Sequence, residues 1–144
     1  MRAFRILMVE DNPADVVLVR EILKESAKRF EIAVVTNGED ALPFLRRQGT
    51  YSTAPRPDLI LLDINLPKRS GHEILHDVKR NDNLRTIPVV MFSSSASLRD
   101  VEQAYLHHAN SYIRKPQSLD GFIEVLRVLE AFWFGTASLP QARA

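Results

Sequence analysis

The chain has 144 residues, 45% of them hydrophobic and 26% charged, with no cysteine and a formal net charge of +1. That length predicts one domain with a self-sufficient core, without room for a separate DNA-binding or catalytic output domain. The absence of cysteine excludes a disulfide framework, a Cys-zinc site and a thiol nucleophile; nineteen basic against eighteen acidic residues argue against nucleic acid or an anionic membrane as the main partner.

The chain opens Met1-Arg-Ala-Phe-Arg5, and a short apolar run, Ile6 to Val9, follows. The run is too short for a signal-peptide core or a bilayer span, so a cytoplasmic protein is expected. Three similar runs recur at Ile32–Val35, Leu59–Leu62 and Val89–Phe92, and a weaker one at Ser111–Arg114. Near-continuous apolar runs suit parallel strands covered on both faces. Helical spacing fills the intervals. Val16, Val19, Ile22 and Leu23 mark a first helix over 14–27, with Asn12 and Pro13 as cap and first turn. Ala41, Leu42 and Leu45 mark a second, and residues 72–80 a third. Val101, Ala104, Tyr105 and His108 mark a fourth; Leu119, Phe122, Ile123, Leu126, Leu129 and Trp133 mark a fifth. Strand-helix alternation repeated five times predicts an open, doubly wound α/β sandwich.

In such sheets ligands bind beyond the carboxyl ends of the strands. The first strand ends in Glu10 and Asp11, the third in Asp63, the fourth in Ser93 and the fifth in Lys115. One carboxylate after a strand is often only a helix cap, but four polar ends at one edge describe a site. Two carboxylates about 4 Å apart repel by ~4 kcal/mol at an effective dielectric near 20. A divalent cation would relieve that repulsion, and oxygen ligands favour Mg²⁺ over zinc. Lys115 offers a point charge to an anion. The five glycines form neither G-x-G-x-x-G nor a Walker A loop, so a phosphate would come from a donor molecule rather than from bound ATP.

Val9-Glu-Asp-Asn-Pro13, Leu61-Leu-Asp-Ile-Asn-Leu-Pro67 with Gly71, Ser93, and Tyr112-Ile-Arg-Lys-Pro116 together resemble a response-regulator receiver domain over about residues 5–133. More narrowly, Leu45-Arg-Arg-Gln-Gly-Thr-Tyr51, Pro55-Arg-Pro57, Leu66-Pro-Lys68, Phe132-Trp133 and Ser138-Leu-Pro140 resemble the single-domain response regulators of bacterial and cyanobacterial phytochromes. The resemblance implies a flavodoxin-like fold with strand order 2-1-3-4-5 and five flanking helices. It implies Asp63 as phosphoacceptor from a histidine kinase, of phytochrome type in the narrower match. Asp11, Asp63 and the Asn65 carbonyl would bind Mg²⁺, with Glu10 nearby or acting through water. Ser93 and Lys115 would hold phosphoryl oxygens, Tyr112 would be the aromatic switch, and Lys115–Pro116 a cis peptide. Ser93 stands where threonine is commoner, and Ser94 and Gln117 also depart from the family pattern. Such a protein turns over only its own phosphate. The competing readings are an unphosphorylated pseudo-receiver and a Mg²⁺-dependent phosphatase; Asn65, where the latter's second acid would stand, weakens it.

His72-Glu-Ile-Leu-His76 matches the H-E-x-x-H zinc signature. The simpler reading is a solvent-facing pair. Lys79 stands where the metzincin glycine belongs, no nearby histidine completes a tight site, and His107 and His108 are expected on another helix. On the last helix Val125, Val128 and Phe132 make a second apolar stripe. With Trp133 and Phe134 it predicts a homodimer contact, the tail 134–144 contributing; the alternative is a tail folded back on its own helix. Output would then pass through a downstream protein, still unidentified, rather than through nucleic acid or membrane.

Overall fold

The computed structural model describes residues 2–140; the last part of the expected tail, 141–144, lies outside them. Five parallel strands, β1 (Phe4–Val9), β2 (Phe30–Val35), β3 (Leu59–Leu62), β4 (Val89–Ser93) and β5 (Ser111–Arg114), form one sheet. Their order is β2-β1-β3-β4-β5, as the family resemblance implies. The helices are α1 (Pro13–Lys24), α2 (Ala41–Arg46), α3 (Gly71–Arg80), α4 (Leu98–Leu106) and α5 (Leu119–Ala131). Among the described residues no helix is long and apolar enough to cross a membrane.

The alternation of side chains along a strand explains why the apolar runs are continuous. Leu7, Val9, Ile60, Leu62, Val89 and Met91 pack on one face with Ile74, Leu75 and Val78 of α3 and Ala104 of α4. Ile6, Met8, Leu59, Leu61, Val90 and Phe92 pack on the other with Val19 and Leu23 of α1 and Phe122, Leu126 and Leu129 of α5. The two edge strands read as half-buried, β2 with Glu31 exposed and β5 with Arg114 exposed.

Four helix starts are set by local chemistry, that of α5 by Ser118, which accepts from the Gly121 amide. The Asn12 side chain accepts from the Ala14 and Asp15 amides, so Asn12 is the cap of α1 and Asp11 is not needed for it. Ser70 and Glu73 form a reciprocal capping box on α3. Ser97 caps α4 by accepting from the Asp100 amide. The fourth helix stops two residues earlier than its apolar spacing implies: His108 has a left-handed φ of 71° and leads into β5.

The C-terminal end departs from expectation. After α5 the chain makes one π-helical turn, Phe132–Thr136. That turn swings Phe134 inward, where its ring lies 4.8 Å from that of Phe4 and 5.1 Å from that of Phe30. Phe134 is therefore core, not a dimer contact, and the tail begins by folding back on its own domain. Leu119, expected on the core stripe, is 57% exposed because it opens the helix beyond the edge of the packed face. Val125 is half-buried against the core, and Trp133 packs there too. Val128 and Phe132 remain exposed at 59% and 51%.

Candidate functional site: an acidic pocket at the carboxyl edge of the sheet

Parallel register brings the polar strand ends together. Val9 pairs with Leu62, so Glu10 and Asp63, each one residue further on, emerge side by side. The Asp63 amide donates to the Val9 carbonyl at 3.1 Å. On the other flank Ser93 pairs with Arg114, and the Lys115 amide donates to the Ser93 carbonyl at 2.8 Å. Glu10, Asp63, Ser93 and Lys115 are all buried; Asp11 is exposed at the mouth.

The ammonium of Lys115 is the hub. It lies 2.5 Å from Glu10 Oε1, 2.8 Å from Asp15 Oδ2 and 3.2 Å from Asp63 Oδ2. Its stem passes the Phe92 ring, with Nζ 5.8 Å from the centroid. Asp63 Oδ1 accepts from the Ile64 amide at 2.7 Å, and Glu10 Oε2 accepts from the Asn12 amide at 3.2 Å. Carboxylate oxygens of Glu10, Asp11 and Asp63 lie within 4.8 Å of one another, the one such group of three among the described residues.

One ammonium does not balance these carboxylates. Burial raises the Glu10 pKa from 4.5 to about 7; Lys115 pulls it down and Asp63 pushes it further up. Burial also works against the charge on Lys115, but its bonds to Asp15 and Glu10 and the attraction of Asp63 outweigh that and hold its pKa above the ordinary lysine value. The pocket thus has surplus negative charge, oxygen donors only, and an open side at Asp11. That donor set fits a hard divalent cation such as Mg²⁺ or Mn²⁺.

Glycine is required beside the pocket. A Cβ on Gly71 would come within 2.0 Å of the Asp63 carbonyl oxygen, so α3 can start against Asp63 only without a side chain there. Asn65 is exposed in the loop between Asp63 and α3. Ser93 Oγ accepts from the Ser95 amide at 3.3 Å. Half-buried Tyr112 donates its hydroxyl to the Ser95 carbonyl at 2.8 Å, which ties β5 to the loop that carries Ser93 toward α4.

Two expectations need correction. No cis peptide bond occurs among the described residues, so Lys115–Pro116 is trans. The isomers of an X-Pro bond differ by only about 0.5–1 kcal/mol, which leaves the choice to tertiary context. Second, a histidine does reach His76: Nδ1 of His107 lies 3.3 Å from Nδ1 of His76. The metalloprotease reading still gains nothing, because Glu73, its general base, is held by Ser70 and Arg69. Asp15 was not foreseen. Its signal was present in its position four residues after Asp11, in the first turn of α1, but many helices carry an acid there for their dipole alone.

Comparison with known proteins agrees with this geometry. A family described as the response regulator receiver domain matches residues 6–127. Response regulator Rcp1 of Synechocystis sp. is 43% identical over 137 residues, covering 95% of this chain and 93% of that protein. The crystal structure of the phosphorylated cyanobacterial phytochrome response regulator RcpA superimposes with a TM-score of 0.94 at 41% identity, covering 97% of this chain and 100% of that one. The Mn²⁺-bound form of Rcp1 gives 0.92 at 42% identity, over 96% of this chain and 99% of that one. The strand order, the carboxylates at the strand ends and the near full-length likeness to regulators of phytochrome systems agree, and the chain belongs to the response regulator receiver domain family.

Proposed function

We infer that this protein is a phosphorylation switch that accepts a phosphoryl group on Asp63 from a sensor histidine kinase. The observation that carries this reading is the placement of Asp63: buried at a strand end, 3.2 Å from the Lys115 ammonium and within 4.8 Å of two further carboxylates. The likeness to Rcp1 and RcpA supports a kinase of phytochrome type.

Asp11, Asp63 and the backbone carbonyl of Asn65 would hold Mg²⁺, with Glu10 close by or joined through water. The ion supplies charge neutralisation for an incoming phosphoryl group. An Asp63 oxygen forms the new P–O bond in line as the P–N bond of a phosphohistidine breaks, and the released imidazole nitrogen keeps the electron pair and takes up a proton. Lys115 then shares its charge between Glu10 and a phosphoryl oxygen, and the Ser93 hydroxyl donates to another. Catalysis is positioning and charge stabilisation, and the protein acts as a switch rather than a turnover enzyme. Drawing Ser93 toward the phosphoryl group would disturb the Ser95 link to Tyr112 and re-set the surface of α4, β5 and α5. Val125, Val128, Phe132 and Trp133 on that side form the proposed homodimer contact, with Phe134 excluded. The readout passes in the cytoplasm to a protein partner.

The test is intact mass after incubation with Mg²⁺ and a small acyl phosphate. One phosphoryl adduct, absent in Asp63→Asn, is expected. No adduct with any donor would instead support a non-phosphorylated interaction module, and rapid multiple turnover a phosphatase.

A further inference from the structure

The switch leaves one sequence motif unused, His72-Glu-Ile-Leu-His76. In the structure His107, just past the end of α4, lies over α3 beside it. The rings of His76 and His107 stand at 83° with centroids 5.0 Å apart, and their Nδ1 atoms are 3.3 Å apart. Two nitrogens bound tetrahedrally to zinc at about 2.0–2.1 Å lie about 3.3–3.4 Å apart, with ring centroids near 5.2 Å. The pair already has the bite of a zinc chelate. Without a metal it makes one imidazole–imidazole bond, in which only one ring can donate.

His72 adds a second observation. Its Nε2 lies 3.2 Å from Asp100 Oδ1, while its Nδ1 is buried with no partner. Asp100 holds the proton on Nε2 and leaves a lone pair on Nδ1, which is how carboxylates support metal-binding histidines. His72, Glu73, His76, Asp77 and His107 line one open depression together with Arg69. Arg69 pairs with both acids, Glu73 and Asp77, which leaves the imidazoles as the depression's metal-seeking donors. His72 stands too far from the pair to be a ligand in its present rotamer.

We propose that His76 and His107 form a two-point binding site for a borderline transition-metal ion, Zn²⁺ or its nitrogen-seeking neighbours Ni²⁺ and Cu²⁺, which ties α3 to the end of α4. Imidazole ligands select these ions, whereas the carboxylate pocket selects Mg²⁺, so the two sites separate their metals by ligand type. One contact must yield. Arg80 Nη1 sits 3.3 Å from His76 Nε2, and metal on Nδ1 requires a proton on Nε2. Arg80 is exposed and can turn outward.

The test is calorimetric titration of Zn²⁺ alone into the full chain in saturating Mg²⁺. One Zn²⁺ per chain is expected, undisplaced by Mg²⁺, with binding at least about tenfold weaker in His76→Ala and in His107→Ala and unchanged in His108→Ala. The more conservative His76→Gln and His107→Gln, verified as folded by circular dichroism, repeat the comparison should either alanine variant fail to fold. NMR should show the His76 and His107 ring signals moving together. Absence of binding, binding unchanged in folded variants at 76 and 107, or displacement of zinc by Mg²⁺ from the acidic pocket would each overturn the proposal.

Discussion

Replacing Lys115 by methionine isolates the charge at the centre of the pocket. Methionine keeps an unbranched stem beside Phe92, so packing changes little. What disappears is an ammonium held by Glu10, Asp15 and Asp63 at 2.5, 2.8 and 3.2 Å. Removing one partner of a buried ion pair typically costs about 3–5 kcal/mol, because the other charge stays buried and unmatched. Glu10 sets how that cost depends on pH. Its pKa is raised from 4.5 to about 7 in the folded protein. The folded state therefore holds a proton that the unfolded chain releases, and this favours folding at low pH. In metal-free wild type that contribution is complete below pH 4.5 and lost as pH rises through about 7, a loss of about 3 kcal/mol. The raised pKa of Lys115 contributes stability that is fully present below about pH 10.5 and lost only above it, so it adds no pH dependence between pH 5.5 and 8. Without Lys115 the remaining pull that lowers the Glu10 pKa is gone, so protonation becomes the main relief. Urea unfolding should show a deficit for Lys115→Met near 3–5 kcal/mol at about pH 8, clearly smaller at about pH 5.5. Mg²⁺ should shrink it at the higher pH. A deficit that is absent at high pH, or equal at both, would refute this account of the pocket.

Other outcomes follow from packing. Phe134→Ala opens a hole between the rings of Phe4 and Phe30 and should cost about 3–5 kcal/mol in denaturant unfolding, where an interface residue would cost the monomer almost nothing. Gly71→Ala forces a methyl against the Asp63 carbonyl, 2.0 Å away. It should destabilise by about 1–3 kcal/mol or more and suppress the phosphoryl adduct at Asp63 as seen by intact mass. Phe132→Ala combined with Trp133→Ala should lower the mass in sedimentation equilibrium; an unchanged dimer would place the contact elsewhere.

Much of this protein is legible along the chain because its signals are local. Covering a parallel sheet on both faces demands continuous apolar runs, so Leu59–Leu62 and Val89–Phe92 announced their strands. The strands end where Asp63, Ser93 and Lys115 appear, and a parallel sheet puts those ends on one edge. Asn12-Pro13 marked the start of α1 because capping involves only neighbours. The ends of α4 and α5 were not legible. His108 continues the apolar spacing of α4, yet the chain leaves the helix before it; Trp133 continues that of α5, yet a π turn intervenes.

The sequence by itself determined the order of elements, the two covered faces and the chemical character of the pocket, since each depends on residue type and periodicity. Tertiary structure decided which distant groups meet. It brought Asp15 to Lys115, closed the Phe134 ring onto Phe4 and Phe30, left Lys115–Pro116 trans and set His107 against His76. Each of these rests on differences of a few kcal/mol between packings of one pattern of residues, and the spacing of residues along a chain carries no record of such differences.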